Sequence, residues 1–178
     1  MRNPRSAKSA PRVALGGVLA ALSLLLLYLA VLMPSGRIGM IAVAGLVPAA
    51  AVVSGGLPTG FLCYGAAGLL GLLLLPDKAC GVLYLVFFGL YPMIKSLAER
   101  LRKRPFELLL KLLFFNAVLA VLLFVFSALF VPMLPGFLQR ALPVFLVGNI
   151  VFLIYDYGLS KLITYYASRI RGVTRNYR

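Results

Sequence analysis

Six long apolar stretches, separated by short polar connections or by Gly and Pro, dominate the pattern of this chain. A transmembrane helix needs about 20 mostly apolar residues to cross a hydrocarbon core about 30 Å thick, and a helix satisfies its own backbone groups in lipid. The predicted spans are residues 13–33, 38–53, 57–75, 79–97, 108–131 and 142–167. The pattern therefore predicts an all-α integral membrane protein, a bundle of six transmembrane helices flanked by basic segments 1–12 and 168–178.

Composition strengthens this prediction. Hydrophobic residues make up 62% of the chain and charged residues 12%, whereas soluble domains are about 45–50% apolar and about 25% charged. Lipid is the solvent that such an apolar surface requires.

The basic residues predict the orientation. Of the 18 Lys and Arg residues, all but Arg37, Lys78 and Arg140 fall on one side of the six spans. Cytoplasmic connections carry the excess of Lys and Arg, so both termini are predicted to be cytoplasmic in a multi-pass protein of the plasma membrane. The net charge of +14 is then a topology signal, and no nucleic acid partner is predicted.

Four basic residues cluster in the fourth connection, at Arg100, Arg102, Lys103 and Arg104. Their favoured role is to fix topology. Contact with anionic lipid or with a cytoplasmic partner is the alternative, since juxtamembrane basic clusters also serve that purpose.

Enzyme chemistry finds little support in the sequence. The chain has no histidine, which removes Ser-His-Asp and Cys-His nucleophiles, and Asp77 and Asp156 are predicted on opposite sides of the membrane. No Gly-rich phosphate loop is present. We therefore predict a protein that is not an enzyme, with no catalytic residue, no metal site and no cofactor.

One acidic residue, Asp156, lies inside a predicted span. An ionisable residue there indicates either a substrate or proton site or a structural role, which would be an ion pair with Lys161, Lys95 or Lys111 or hydrogen bonding to nearby hydroxyls such as that of Ser160. The ion pair is favoured because a lone buried charge is costly.

Two amides, Asn116 and Asn149, lie inside the fifth and sixth spans. Their default role is hydrogen bonding between helices. Asn149 is predicted in the outer half of its helix, where its amide has a second possible role in orienting a small ligand.

Two prolines and four small residues also stand out in the spans. Pro48 and Pro92 predict kinks. On the first helix Gly16, Gly17, Ala20 and Ala21 form small-xxx-small pairs that permit close helix approach. They indicate either a docking surface for another subunit or packing within this chain.

The length, the six spans, the cytoplasmic termini and the small residues of the segment ALGGVLAAL at 14–22 resemble the substrate-binding membrane subunit (S component) of energy-coupling factor transporters. The resemblance implies uptake of a vitamin-like micronutrient, with docking through the first helices on a membrane coupling subunit that carries two ATPases. It also implies that a small-molecule ligand binds in the outer half, near Arg37, Lys78, Arg140 and Asn149.

Two alternatives stay open. One is a small membrane scaffold without a ligand that recruits a partner through its basic cluster. The other is a proton-coupled carrier based on Asp156.

Overall fold

The computed structural model describes the backbone of residues 4–101, 104–134, 136 and 141–176 and the side chains of 10–100, 105–134, 136 and 142–168. Its α-helices are α1 (Pro4–Leu32), α2 (Arg37–Gly55), α3 (Leu57–Leu74), α4 (Lys78–Leu83), α5 (Tyr91–Ala98), α6 (Arg104–Phe124), α7 (Ser127–Phe130) and α8 (Ala141–Asn176). A π-helical segment, Tyr84–Phe88, joins α4 to α5, and 3-10 turns follow α5 and α7 at Glu99–Leu101 and Val131–Met133. The described part of the chain is helical and contains no strand.

Six helical stretches of the described chain are long and apolar enough to cross a membrane. They are Ala10–Leu32, Arg37–Gly55, Leu57–Leu74, Lys78–Ala98, Pro105–Phe124 and Leu142–Ser168. This confirms the predicted fold class, an all-α protein with six candidate membrane spans. The side of the membrane on which the termini lie stays a prediction.

Two glycines allow the short connections between the first three helices. Gly36 and Gly56 adopt positive φ angles of 78° and 84°, a conformation that glycine reaches without steric cost. Each glycine directly precedes a helix and lets the chain turn sharply there. As a result, α2 and α3 start within a few residues of the helix before them.

The predicted extent of the fifth span is wrong at its end. The pattern continued the helix to residue 131, but α6 ends at Phe124 and the short α7 begins at Ser127. The N–H groups of Val125 and Phe126 both donate to the Val121 carbonyl, at 2.8 and 3.2 Å. Val, Phe and Ser are weaker helix formers than Leu or Ala, and an apolar pattern records contact with lipid without recording where a helix breaks.

The two intramembrane prolines differ in their effect. Pro48 lies inside α2, which is assigned as one continuous helix from Arg37 to Gly55. Pro92 follows a real irregularity, the π-helical segment, in which Gly89 N–H bonds to the Tyr84 carbonyl at 2.8 Å. Because Pro92 has no N–H, the Phe88 carbonyl lacks the donor that a regular helix would supply.

Gly45 of α2 lies against this irregularity. A Cβ atom added at Gly45 would be 2.5 Å from the Phe88 carbonyl oxygen, closer than real Cβ contacts. The two backbones therefore approach at a point where only glycine fits.

Tyrosine hydroxyls complete the packing around the π-helical segment. The Leu85 carbonyl would accept from Gly89 in a regular α-helix, but here it accepts from the Tyr64 hydroxyl at 2.9 Å. Buried polar groups are normally satisfied in this way, so Tyr64 of α3 secures the irregular turn.

Ser23 of α1 joins three elements in the interior. Its hydroxyl oxygen lies 3.0 Å from the Ala44 carbonyl and 2.9 Å from the Tyr84 hydroxyl. A hydroxyl carries one hydrogen and a carbonyl only accepts, so the Ser23 hydrogen goes to Ala44 and Tyr84 donates to Ser23. Ser23 and Tyr84 are fully buried. The two hydrogen bonds of Ser23 link α1, α2 and the π-helical segment.

The chain forms two compact units. The first contains the chain up to Met93 and from Ile163 onward, and the second is Ile94–Leu162. The second unit thus contains the end of α5, all of α6 and α7, and most of α8.

Candidate functional site

The second unit contains a group of charged side chains that we call the charge cluster. Three parts of the chain, namely α5 with the 3-10 turn that follows it, α6 and α8, each contribute two polar residues to it, four positions apart. The members are Lys95 with Glu99, Glu107 with Lys111, and Asp156 with Ser160. Residues four apart lie on one helix face, so α5 together with its 3-10 turn, α6 and α8 each present a polar pair.

Asp156 joins the two lysines of the charge cluster. Its Oδ1 accepts from the Lys95 ammonium group and its Oδ2 from that of Lys111, the latter at 3.3 Å. Lys95 also donates to the Ser160 hydroxyl at 2.7 Å. Asp156 therefore forms an ion pair with both Lys95 and Lys111. The Ser160 hydroxyl accepts from Lys95 and donates to the backbone carbonyl of Asp156 at 2.8 Å.

Glu99 and Glu107 complete the charge cluster, and the sequence analysis did not predict this role for them. One oxygen of Glu99 lies 3.0 Å from the Lys95 ammonium and 3.6 Å from that of Lys111, and Glu107 accepts from Lys111. The signal that could have found them is the four-residue spacing to a lysine. Their position in a basic connection pointed instead to general charge balance.

Burial makes these ion pairs structurally important. The side chains of Lys95 and Lys111 are 1% and 4% exposed, whereas that of Glu99 is 44% exposed. A buried ammonium group without partners would cost several kcal/mol, but each lysine here has three oxygen atoms within ion-pair or hydrogen-bond distance, the longest being Glu99 at 3.6 Å from Lys111. The charge cluster therefore joins α5, α6 and α8 at one level.

Asn116 and Asn149 form a reciprocal amide pair between α6 and α8. Each side-chain nitrogen donates to the other side-chain oxygen, at 2.9 and 3.0 Å. Each also donates to the carbonyl four residues earlier in its own helix, at 2.8 Å. All four amide hydrogens are used, so the geometry matches the role of interhelical hydrogen bonding, and a role for Asn149 in ligand binding stays a prediction.

Apolar contacts extend the same helix pair. The rings of Phe115 and Phe152 stack with centroids 4.5 Å apart, and Gly148 leaves room for Phe115 and Leu119. The contacting residues rise in number along α6 and fall along α8, from Phe115 with Phe152 to Leu119 with Gly148. The two helices are therefore antiparallel here.

Replacing one member of the amide pair tests its contribution. We expect Asn116→Leu to lower the free energy of unfolding by about 1 kcal/mol, because buried interhelical hydrogen bonds in membranes average about 0.6 and reach about 1.7 kcal/mol. The double variant with Asn149→Leu should cost less than the sum of the single changes, because no amide is left alone. Unfolding with SDS in mixed micelles measures this, and strictly additive costs would contradict a coupled pair.

Of the two arginines predicted near a ligand, Arg37 lies in the described part of the chain. The Arg37 guanidinium pairs with Asp77 at 3.1 Å and donates to the Met33 carbonyl at 3.0 Å. Asp77 also accepts from Ala79 N–H at 3.0 Å and thereby caps α4. Arg37 is thus engaged in holding two connections of the first unit, and Arg140 lies outside the described residues.

The predicted cytoplasmic basic cluster is described only in part. Arg100 is exposed. Arg102 and Lys103 lie outside the described residues, and of Arg104 only the backbone, at the start of α6, is described. Its role stays a prediction.

The four small residues of α1 divide between two faces. Gly16 and Ala20 are buried, and a Cβ at Gly16 would lie 2.7 Å from Leu62 Cδ2 of α3. Gly17 and Ala21 are exposed, and a Cβ at Gly17 would meet nothing within 4 Å. The structure thus uses the first pair for packing within the chain and leaves the second pair on the outer surface.

A scan against protein-family models and searches of curated proteins and of solved structures find no match to this chain. The part of the chain that the structure describes defines the class of the protein as all-α, with six helices long and apolar enough to span a membrane.

Proposed function

We propose that this chain is the substrate-binding membrane subunit of a micronutrient uptake transporter, energised by separate ATPase subunits, as its resemblance to S components of energy-coupling factor transporters implies. In this role it binds a vitamin-like molecule in the plasma membrane with both termini in the cytoplasm, and it catalyses no reaction itself.

One observation carries the proposal, namely the two-faced arrangement of small residues on α1. Gly16 packs on Leu62 of α3 and Ala20 is buried, whereas Gly17 and Ala21 are exposed and so remain available for a partner outside the chain. Helix association in lipid depends on close backbone approach at small residues. The Gly17 and Ala21 face supports docking of a further transmembrane helix, and the coupling subunit is the partner that the proposal assigns to it.

Two of the groups predicted to hold the ligand already have partners in the structure. Asn149 is paired with Asn116, and Arg37 is paired with Asp77. A ligand that used these groups would have to displace their present partners, which a small polar molecule does only by replacing the same hydrogen bonds.

Bulky side chains on the outer face of α1 test the docking surface. We expect Gly17→Leu and Ala21→Leu to abolish co-purification with a coupling membrane protein and ATPases, because the added atoms keep the partner helix at a distance. Pull-down of the tagged chain from its native membrane, followed by mass spectrometry, measures the assembly. The fold should be retained, since position 17 has open space around it.

Gly65→Leu is the matched control. Gly65 lies on α3, and an added Cβ there also meets nothing within 4 Å. It receives the same change outside the proposed surface, so assembly should survive it. Unchanged assembly in the Gly17 and Ala21 variants, or equal loss in all three, would count against the proposal.

A further inference from the structure

The type of side chain exposed on α8 changes along the helix. Its first part exposes aliphatic side chains at helical spacing, Leu142, Leu146, Ile150 and Ile154. The next exposed residues on this face are Tyr157 and then Lys161. Aliphatic side chains suit contact with lipid tails, whereas Tyr and Lys are typical of the region where the hydrocarbon ends.

Helix length places this change at the membrane surface. At 1.5 Å per residue, Leu142 to Lys161 covers about 28 Å, close to the hydrocarbon thickness of about 30 Å. The helix nevertheless continues to Asn176, about 22 Å further at the same rise. A helix with this pattern leaves the hydrocarbon near Lys161.

The charge of the same region is one-sided. From Tyr157 to the last residue the sequence contains no acidic residue and five basic ones, Lys161, Arg169, Arg171, Arg175 and Arg178. The four carboxylates of the chain all form ion pairs with Arg37, Lys95 or Lys111. The Lys161 ammonium lies over the Tyr157 ring, 5.6 Å from its centre, a cation–π geometry that holds the two side chains on the same side of α8.

We propose that Tyr157 and Lys161 bind the phosphate group of an anionic phospholipid at the membrane surface. The Lys161 ammonium supplies charge and hydrogen bonds to the phosphate oxygens, and the Tyr157 hydroxyl donates a further hydrogen bond. Ile150 and Ile154, which are exposed on the same helix in the half of the hydrocarbon nearest Lys161, lie along the acyl chains of the same lipid. This continuity with a lipid-facing surface favours a lipid phosphate, and basic residues at this level attract anionic headgroups.

Lipid retention tests the site directly. The full chain, purified in mixed micelles with equal phosphatidylglycerol and phosphatidylcholine, should retain phosphatidylglycerol preferentially in native mass spectrometry. We expect Lys161→Gln to reduce that retention at least threefold and Tyr157→Phe to reduce it less. The matched control is Arg12→Gln, which removes the same charge from an exposed position on α1. Equal loss in the Arg12 variant would overturn the proposal, as would displacement of the lipid by millimolar inorganic phosphate.

The position in the membrane is tested separately. Because the chain has no tryptophan, Tyr157→Trp and Ile150→Trp each introduce a single fluorescent reporter. In vesicles with brominated lipids, shallow bromines should quench the reporter at position 157 most strongly and deep bromines the one at 150. The same quenching depth at both positions would overturn the placement of α8 on which the lipid site depends.

Discussion

Replacing Asp156 by asparagine is expected to lower the free energy of unfolding by about 3 kcal/mol, in the range measured when one partner of a buried ion pair is removed. The variant keeps the shape of the side chain but leaves Lys95 and Lys111, which are almost completely buried, with one carboxylate fewer. An amide nitrogen would also face one of the two ammonium groups. Unfolding with SDS in mixed micelles, followed by circular dichroism, measures the change.

Asp77→Asn is the matched control for this experiment. It removes the carboxylate that pairs with Arg37, but both side chains are partly exposed, 41% for Arg37 and 27% for Asp77. Exposed ion pairs contribute about 0–1 kcal/mol, and asparagine still caps a helix well. Equal losses in the two variants would contradict the special importance of the charge cluster.

A charge-free replacement separates the cost of an unpaired lysine from the value of the ion pair. The double variant Lys95→Met with Asp156→Leu should recover part of the stability lost in Asp156→Asn, because apolar residues often replace a buried ion pair without loss. Lys111 keeps Glu107 in this variant. A double variant less stable than Asp156→Asn would show that the ion pairs themselves stabilise the unit.

Replacing Gly45 by alanine is the second change with a large expected effect. The new Cβ would lie 2.5 Å from the Phe88 oxygen and 2.9 Å from the Phe88 carbonyl carbon, so one of two backbones must move. Overpacking of this kind typically costs about 1–3 kcal/mol, and the contact is with backbone, which cannot rotate away. The loss should appear in the same SDS unfolding experiment.

Gly39→Ala provides the control on the same helix. A Cβ at Gly39 meets nothing within 4 Å, and alanine is a better helix former than glycine by about 1 kcal/mol. We expect this variant to be unchanged or slightly more stable. A destabilisation as large as that of Gly45→Ala would mean that the close approach between α2 and the π-helical segment is not the cause.

The sequence predicted the pairing of Asp156 with Lys95 and Lys111, because a charged side chain inside a membrane span needs a partner of opposite charge. An acid inside a span needs a cation at similar depth, and the chain offers few, so Lys95 and Lys111 could be named as partners of Asp156. Glu99 and Glu107 were missed because they lie near the ends of helices, where a charge can also be solvated by water. Whether such a side chain turns inward depends on the neighbouring helix.

The sequence could not distinguish the faces of α1. Gly16 and Gly17 are adjacent and chemically identical, yet one packs on Leu62 and the other faces outward. Their roles depend on how α1 is rotated about its axis, which is decided by the sum of its contacts with α2 and α3. The small residues lie on adjacent faces of the helix, so their pattern does not predict which face packs inward.

By itself, the sequence determined that this protein is all-α with six helices able to span a membrane, because apolar length and internal backbone hydrogen bonding are local properties. It also favoured cationic partners for Asp156. Only the tertiary structure decided that α6 stops at Phe124, that the fourth span contains a π-helical turn against Gly45, and that three helices share one charge cluster. Those features depend on side chains far apart in the chain, whose contacts are fixed only when the helices pack.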